Sequence, residues 1–287
     1  MSGEREACAG GRHLRFADVL ALATCTRPWS PAVALGARIA ARFGANLTGC
    51  YVPAPLRPLG GAEEPDPLMP AQRDEMQRED ADDPADFPSF ARGLGVPFAA
   101  WTVACAPIAP TLRQLGGWHD LVVLERAMVP PERTLDVLGE ALLGCRVPCL
   151  ILPPGWNGEA AFQRVAIGWN GSAEATGALR RALPILQLAR HVTLIDGEMR
   201  RSDEDVPGVS RPDPVLYLRH HQVEVAMQHL HAPSKATGTL LLHKAHEMQA
   251  DLLVMGAYSQ SRTRERVFGG ATRHVLLHAD IPLLMQH

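Results

Sequence analysis

The chain has 287 residues, 46% of them hydrophobic, which suffices for one large or two ordinary domains with full cores. Net charge is −3, and the basic residues are almost all arginine, with Lys235 and Lys244 the only lysines and no contiguous basic stripe, which argues against nucleic-acid binding. The charged N-terminal stretch MSGEREACAGGRHLRF lacks the apolar centre of an export signal, and no run of about 18 apolar residues follows, so a cytoplasmic protein is expected, without membrane segments.

Short aliphatic runs alternate with longer helical patterns, the signature of βαβ units in a parallel sheet. In chain order the first half reads as strand DVLALAT, a helix through AVALGARIAARFG, and strand NLTGCYV. Next comes a segment with ten acidic residues and two arginines, Ala62 to Phe87, a local charge of −8. It reads as a solvated, partly disordered insertion with one short helix around Gln72 to Asp80. Strand PFAAWTVA, helix IAPTLRQLG, strand HDLVVLERA, helix TLDVLGEALLG and strand VPCLILP complete this half.

The second half is clearer. Strand RVAIGWN leads to helix AEATGALRRALPILQLA and strand HVTLIDG. After an irregular stretch come strand QVEVAMQHLH, helix TGTLLLHKAHEMQ, strand ADLLVMGA, helix GGATRHVLLHA and strand IPLLMQ. Leu179, Leu183 and Leu186 recur at helical spacing and are expected in the core.

The two halves are copies of one unit. Asp120 to Arg126 (DLVVLER) matches Asp251 to Ala257 (DLLVMGA), and Arg146 to Leu152 (RVPCLIL) matches Asp280 to Gln286 (DIPLLMQ). Each copy holds enough elements for its own core, so the repeat implies duplicated domains. We expect domains at 13–153 and 163–287, joined by the Pro- and Gly-rich stretch Pro153 to Phe162. Right-handed crossovers make each an open, doubly wound α/β sheet of five parallel strands. Each copy ends in a strand opened by a proline, Pro148 or Pro282, which suits an edge. The two edges can pair about a pseudo-twofold axis, giving an intrachain pseudo-dimer, or a homodimer if they pair between chains.

Ligands of a doubly wound sheet sit beyond the carboxyl ends of its strands. After the fourth strand of the second copy come Gly256, Ser259 and then Gly269, Gly270 and Thr272 at a helix start. Glycines there permit close backbone approach to an anion, and the helix N-terminus offers free N–H donors. The same glycines also suit a tight turn and a close helix start. Arg262, Arg264 and Arg266, with Glu265 among them, could clamp an anion.

The order of elements, VAIGWNGS at the start of the second copy and VMGAYSQSRTRERVFGGATRHVLLHADIPLLM at its end, resembles the universal stress protein family in its tandem form. The resemblance covers nearly the whole chain and is specific in the second half. It implies the adenine-nucleotide alpha hydrolase-like fold, pairing through the last strands and, in one branch, ATP or AMP binding by G-x2-G-x9-G-[ST] with an aspartate after strand one. Carried onto this chain, the first and third glycines fall on Gly256 and Gly269. The second falls on Ser259, the Ser/Thr position on Gly270, and the aspartate position on Asn170. Ile195 and Met255, at the ends of their strands, complete the candidate set for the nucleotide. Two positions of the phosphate pattern match and two depart. In the first copy Glu125 stands at the Gly256 position, where an acid repels phosphate, and little of the loop survives beyond Gly139.

No G-x4-G-K-[ST], G-x-G-x-x-G, G-x-S-x-G or H-E-x-x-H is present. The six cysteines, Cys8, Cys25, Cys50, Cys105, Cys145 and Cys149, include no C-x-x-C and fit reduced thiols. The C-x3-C pair Cys145 and Cys149 reads as small buried side chains. His220 and His221 are adjacent, His229 and His231 alternate on a strand, and His243 and His246 lie at i, i+3 on a helix. The last four are weak metal-ligand candidates, with a pocket-lining role as the alternative. No acid–base pair stands near the loop, so no hydrolytic mechanism follows. Two functions remain: a non-catalytic stress-response regulator acting through an unknown protein partner or small ligand, and an ATP or AMP sensor, with or without slow hydrolysis.

Overall fold

The computed structural model describes residues 14–60, 86–158, 161–197, 213–231, 236–257 and 269–287. The helix expected at Gln72 to Asp80 lies outside them, as do Ser259, Arg262, Arg264, Glu265 and Arg266.

The first half runs β1 (Asp18–Ala23), α1 (Pro31–Phe43), β2 (Asn46–Tyr51), α2 (Asp86–Gly93), β3 (Ala99–Val103), α3 (Ile108–Leu115), β4 (Leu121–Glu125), α4 (Thr134–Gly144) and β5 (Cys149–Leu152). The second runs β6 (Arg164–Trp169), α5 (Ala173–Leu186), β7 (His191–Gly197), α6 (Pro214–His220), β8 (Val225–Leu230), α7 (Thr237–Glu247), β9 (Leu252–Gly256), α8 (Gly270–His278) and β10 (Leu283–Gln286). Among the described residues no helix is long and apolar enough to cross a membrane.

All ten strands form one sheet in the order β3-β2-β1-β4-β5-β10-β9-β6-β7-β8. Every neighbouring pair is parallel except β5 and β10, which run antiparallel and join the halves. At that seam Leu150 pairs with Leu284, its own counterpart in the repeat, while Cys149 pairs with Met285 and Ile151 with Leu283. Pairing of a residue with its own equivalent is what a twofold axis requires, so the pseudo-twofold passes beside Leu150 and Leu284. The expected edge strands thus protect each other at the centre of the sheet.

One apolar layer covers each face, and both layers run through both halves. Leu35, Ala40, Phe87, Leu179, Leu183 and Leu218 pack beneath α1, α2, α5 and α6 on one side. Ile108, Leu112, Leu138, Leu241, Val275 and Leu276 pack beneath α3, α4, α7 and α8 on the other. Fully buried leucine and isoleucine side chains contribute about 1.5–3 kcal/mol each, and the continuous layers place part of that burial across the seam.

Two helices escaped the periodicity reading. The start of α2 fell inside the acidic insertion, but Phe87 and Phe90 bring it onto Trp29 and Trp101, with ring centroids 4.8–6.5 Å apart. The stretch read as irregular holds α6, where the Asp213 side chain accepts from the Val215 N–H at 2.8 Å and Pro214 opens the helix. Strand β8 is shorter than expected because Gln222 takes a left-handed φ of 62° and turns the chain before it.

The repeat extends to bonding. Asp120 Oδ2 accepts from the Ala17 and Asp18 N–H groups at 2.7 and 3.2 Å, and the carboxylate of its counterpart Asp251 accepts from Gln163 and Arg164 at 2.7 and 2.9 Å. In each copy the carboxylate therefore ties the start of the fourth strand to the start of the first. Cys145 and Cys149 are both buried, as their spacing suggested.

Candidate functional site

The carboxyl ends of β6, β7 and β9 converge in the second half. Gly168 pairs with Ile195 on one side and Met255 on the other, so these three residues form one row across the sheet. One step further, Asp196 stands between Trp169 and His229. Helices α5 and α8 start above this row, after β6 and β9 respectively.

Gly256 ends β9, and its role is steric. A Cβ at this position would lie 2.5 Å from the Ala175 backbone nitrogen and 2.6 Å from the Glu174 carbonyl carbon, so the first turn of α5 rests directly on it. The close approach that Gly256 permits is made at least by the chain itself: only glycine lets α5 sit this low over β9. Helix α5 is capped within itself. The Ser172 Oγ accepts from the Ala175 N–H at 3.1 Å, and the Asn170 Oδ1 accepts from the Ser172 N–H at 3.1 Å. Asn170 is exposed but already engaged in this turn, which reduces what it can offer an adenine.

Three other candidates are buried: Ile195 is 1% exposed, Met255 6% and Thr272 5%. The start of α8 differs. Gly269 is its N-cap with no side-chain cap, its first turn holds no acid, and a Cβ on Gly269 or Gly270 would meet nothing within 4 Å among the described residues. This helix start presents backbone donors and the positive end of its dipole, with no described side chain against them.

The first half shows the opposite arrangement. Glu125, at the position of Gly256, turns its carboxylate onto the first turn of α1, where Oε1 accepts from the Ala32 N–H at 3.3 Å and from the Thr24 hydroxyl at 3.5 Å. Helix α4, the counterpart of α8, carries Asp136 in its first turn, 3.8 Å from Arg133. Each helix start that faces this crevice is therefore supplied with an anion by the chain itself.

Asp196 was missed in the sequence. Its Oδ1 is buried and has no hydrogen-bond partner among the described residues, while Oδ2 lies 3.5 Å from the His229 Nδ1. The signal was an acid at the end of HVTLIDG, visible had the carboxyl-end rule been applied to the second strand as well as the first and fourth. A desolvated carboxylate oxygen without a donor is costly, and a hydroxyl or amino group of a ligand would satisfy it.

The candidate metal histidines do not converge. His229 pairs with Asp196, His243 Nδ1 lies 3.4 Å from Glu247, His246 Nε2 lies 2.8 Å from Asp280, and His231 is exposed beyond β8. Among the described residues no group of three or more histidines, cysteines or acids is placed to hold a metal ion. Helical i, i+3 spacing put His243 and His246 near one face, but each found its own carboxylate. His274 and His278 stack at 4.3 Å, and partial burial together with His278 holds the His274 imidazole below its ordinary pKa.

The sequence model of the universal stress protein family matches residues 161–287. That half is a universal stress protein domain. A curated universal stress protein of Synechocystis is 25% identical over 140 residues, 48% of this chain and 46% of its own, so the chain spans about half the length of the relative it matches. Over the whole chain the fold is similar to a universal stress protein from Archaeoglobus fulgidus, with a TM-score of 0.66 at 14% identity, covering 94% of this chain and 95% of that one. A functionally unknown protein from Pseudomonas aeruginosa aligns with a TM-score of 0.57 at 12% identity over 94% and 92% of the two chains. At these identities the likeness concerns the fold, and it extends the universal stress architecture to both halves of the sheet.

Proposed function

We infer that this universal stress protein is a regulatory binding protein whose second-half crevice takes one adenine nucleotide per chain, ATP or AMP, without classical catalysis. The observation that carries the reading is the start of α8, which among the described residues has no side-chain cap, no acid in its first turn and no steric neighbour, set against its first-half counterpart α4, whose first turn holds Asp136. A phosphate group at α8 supplies the anion that Asp136 supplies at its counterpart α4. The buried Asp196 oxygen suits a ribose hydroxyl or the adenine amino group. The binding event is read by a protein partner in this view, and the domain division near residues 153–163 belongs to the same proposal.

The test is a calorimetric titration of the full chain with ATP and AMP, alongside mass spectrometry of any molecule released on denaturation. Gly270→Asp is the decisive variant. The site has room for the side chain, and an acid in the first turn favours the helix, so folding is retained. Its charge should nevertheless weaken nucleotide binding by about tenfold or more, since one close unit charge is worth on the order of 1–4 kcal/mol near a surface. Wild-type protein that neither carries nor binds either nucleotide at millimolar concentration would rule the reading out.

A further inference from the structure

The internal repeat allows each position of one half to be compared with its counterpart in the other, and one comparison exposes a second opening far from the nucleotide crevice. In the first half His119 closes the sheet face beneath α3, at the amino ends of the strands. Its Nδ1 lies 2.8 Å from the Leu115 carbonyl and its Nε2 2.9 Å from the Thr48 hydroxyl. Beside it the Asn46 side chain donates to the Asp18 carboxylate at 2.9 Å. His119, Thr48, Asn46 and Asp18 thus all have partners within the chain.

In the second half the same register carries different residues. Asp18 and Asn46, which pair across β1 and β2, correspond to Arg164 and His191, which pair across β6 and β7. Thr48 corresponds to Thr193. His119, which precedes Asp120, corresponds to Ala250, which precedes Asp251. The plug has become a methyl group, and a cavity of about 450 Å³ opens over Thr193. Arg164, Arg190 and His191 line it with Glu224 and Gln228, while Ala166, Ala226 and Met248 supply apolar wall.

Most of these polar groups are uncommitted among the described residues. Arg164 donates Nε to the Met248 carbonyl at 2.8 Å, which orients its guanidinium. Among the described residues Arg190, His191, Thr193, Glu224 and Gln228 make no side-chain hydrogen bond or ion pair. Two guanidinium groups and a hydroxyl lining a partly apolar cavity match a carboxylate attached to a short carbon skeleton: the guanidinium N–H groups donate to the two oxygens, and the wall covers the carbons. Inorganic phosphate would use the cations and leave the apolar wall without contact.

We propose that the second half holds a site for a small organic carboxylate at the amino ends of β6, β7 and β8, created by the exchange of His119 for Ala250 between the repeats. The site lies at the opposite end of the strands from the α8 crevice and does not depend on nucleotide binding there. Glu224 at the same cavity favours a carboxylate that also carries an amino group.

The full chain is titrated calorimetrically with succinate, glutamate and inorganic phosphate, each with and without ATP. Binding of succinate or glutamate, undiminished by ATP, is expected. Arg190→Ala, an exposed position, should weaken it about tenfold or more. Ala250→His should abolish it by restoring the plug that the first half already accommodates, with circular dichroism confirming the fold. A preference for glutamate over succinate that disappears in Glu224→Gln supports the amino-group preference. Absence of heat with all three probes, phosphate binding as tightly as the carboxylates, or carboxylate binding unchanged in both Arg190→Ala and Ala250→His would each overturn the proposal.

Discussion

Cys50 lies on β2 with no exposed surface, and burial, with Cys105 adding to it, pushes its thiol up to about 12. The ordinary value is 9.0, so below that pH both folded and unfolded states keep the proton and the full contribution of the neutral thiol is present. Above it the unfolded chain loses the proton while the native one retains it, and stability falls with rising pH until about 12. The slope from this one group is at most about 1.4 kcal/mol per pH unit. Urea midpoints measured across that window should fall less steeply in Cys50→Ala than in the wild type. Parallel curves would show that the thiol titrates alike in both states.

Helix starts are where the halves diverge most, and where an element-scale experiment discriminates best. Glu125 bonds the first turn of α1 and approaches the Thr24 hydroxyl, so Glu125→Ala removes a charged cap and should cost about 1 kcal/mol in urea unfolding. No loss would mean that the Ala32 N–H finds an equivalent acceptor. The strands themselves were legible because buried parallel strands read as aliphatic runs, as LVVL and LLVM do within Leu121–Glu125 and Leu252–Gly256. The short helices were not: α2 depends on aromatic contacts with Trp29 and Trp101 from distant segments, which no local pattern reveals. At the site, the carboxyl-end rule pointed to the ends of β6 and β9, while the packing roles of two groups stayed hidden. Gly256 looked like part of an anion loop because a glycine carries no mark of what lies against it. The sign of Glu125 was read correctly, while its service to α1 requires knowing where its carboxylate points.

At the scale of the whole molecule, Arg126 connects the halves. Its Nη1 donates to the Leu276 carbonyl at 3.0 Å, one of the last-turn carbonyls of α8 that no intrahelical N–H can reach. Burial lowers the guanidinium pKa, and Asp280 opposes that shift. Arg126→Ala should cost about 1.5–3 kcal/mol, the range for a hydrogen bond to a charged group. Unfolding should still follow a single transition, because both apolar layers continue through the seam. Two separated transitions in urea would mean that the halves cohere independently.

The antiparallel meeting of β5 and β10 also fixes stoichiometry. A seam assembled from two separate, identical chains would carry two identical crevices and would dissolve on dilution. Here the partner strand is delivered by the same polypeptide, so its local concentration is independent of how much protein is present. Each crevice can then change without altering its neighbour. One half turns its own carboxylate onto a helix start and the other, among the described residues, has no acid in the first turn of α8, at a ratio of one to one that neither expression level nor exchange of subunits can disturb.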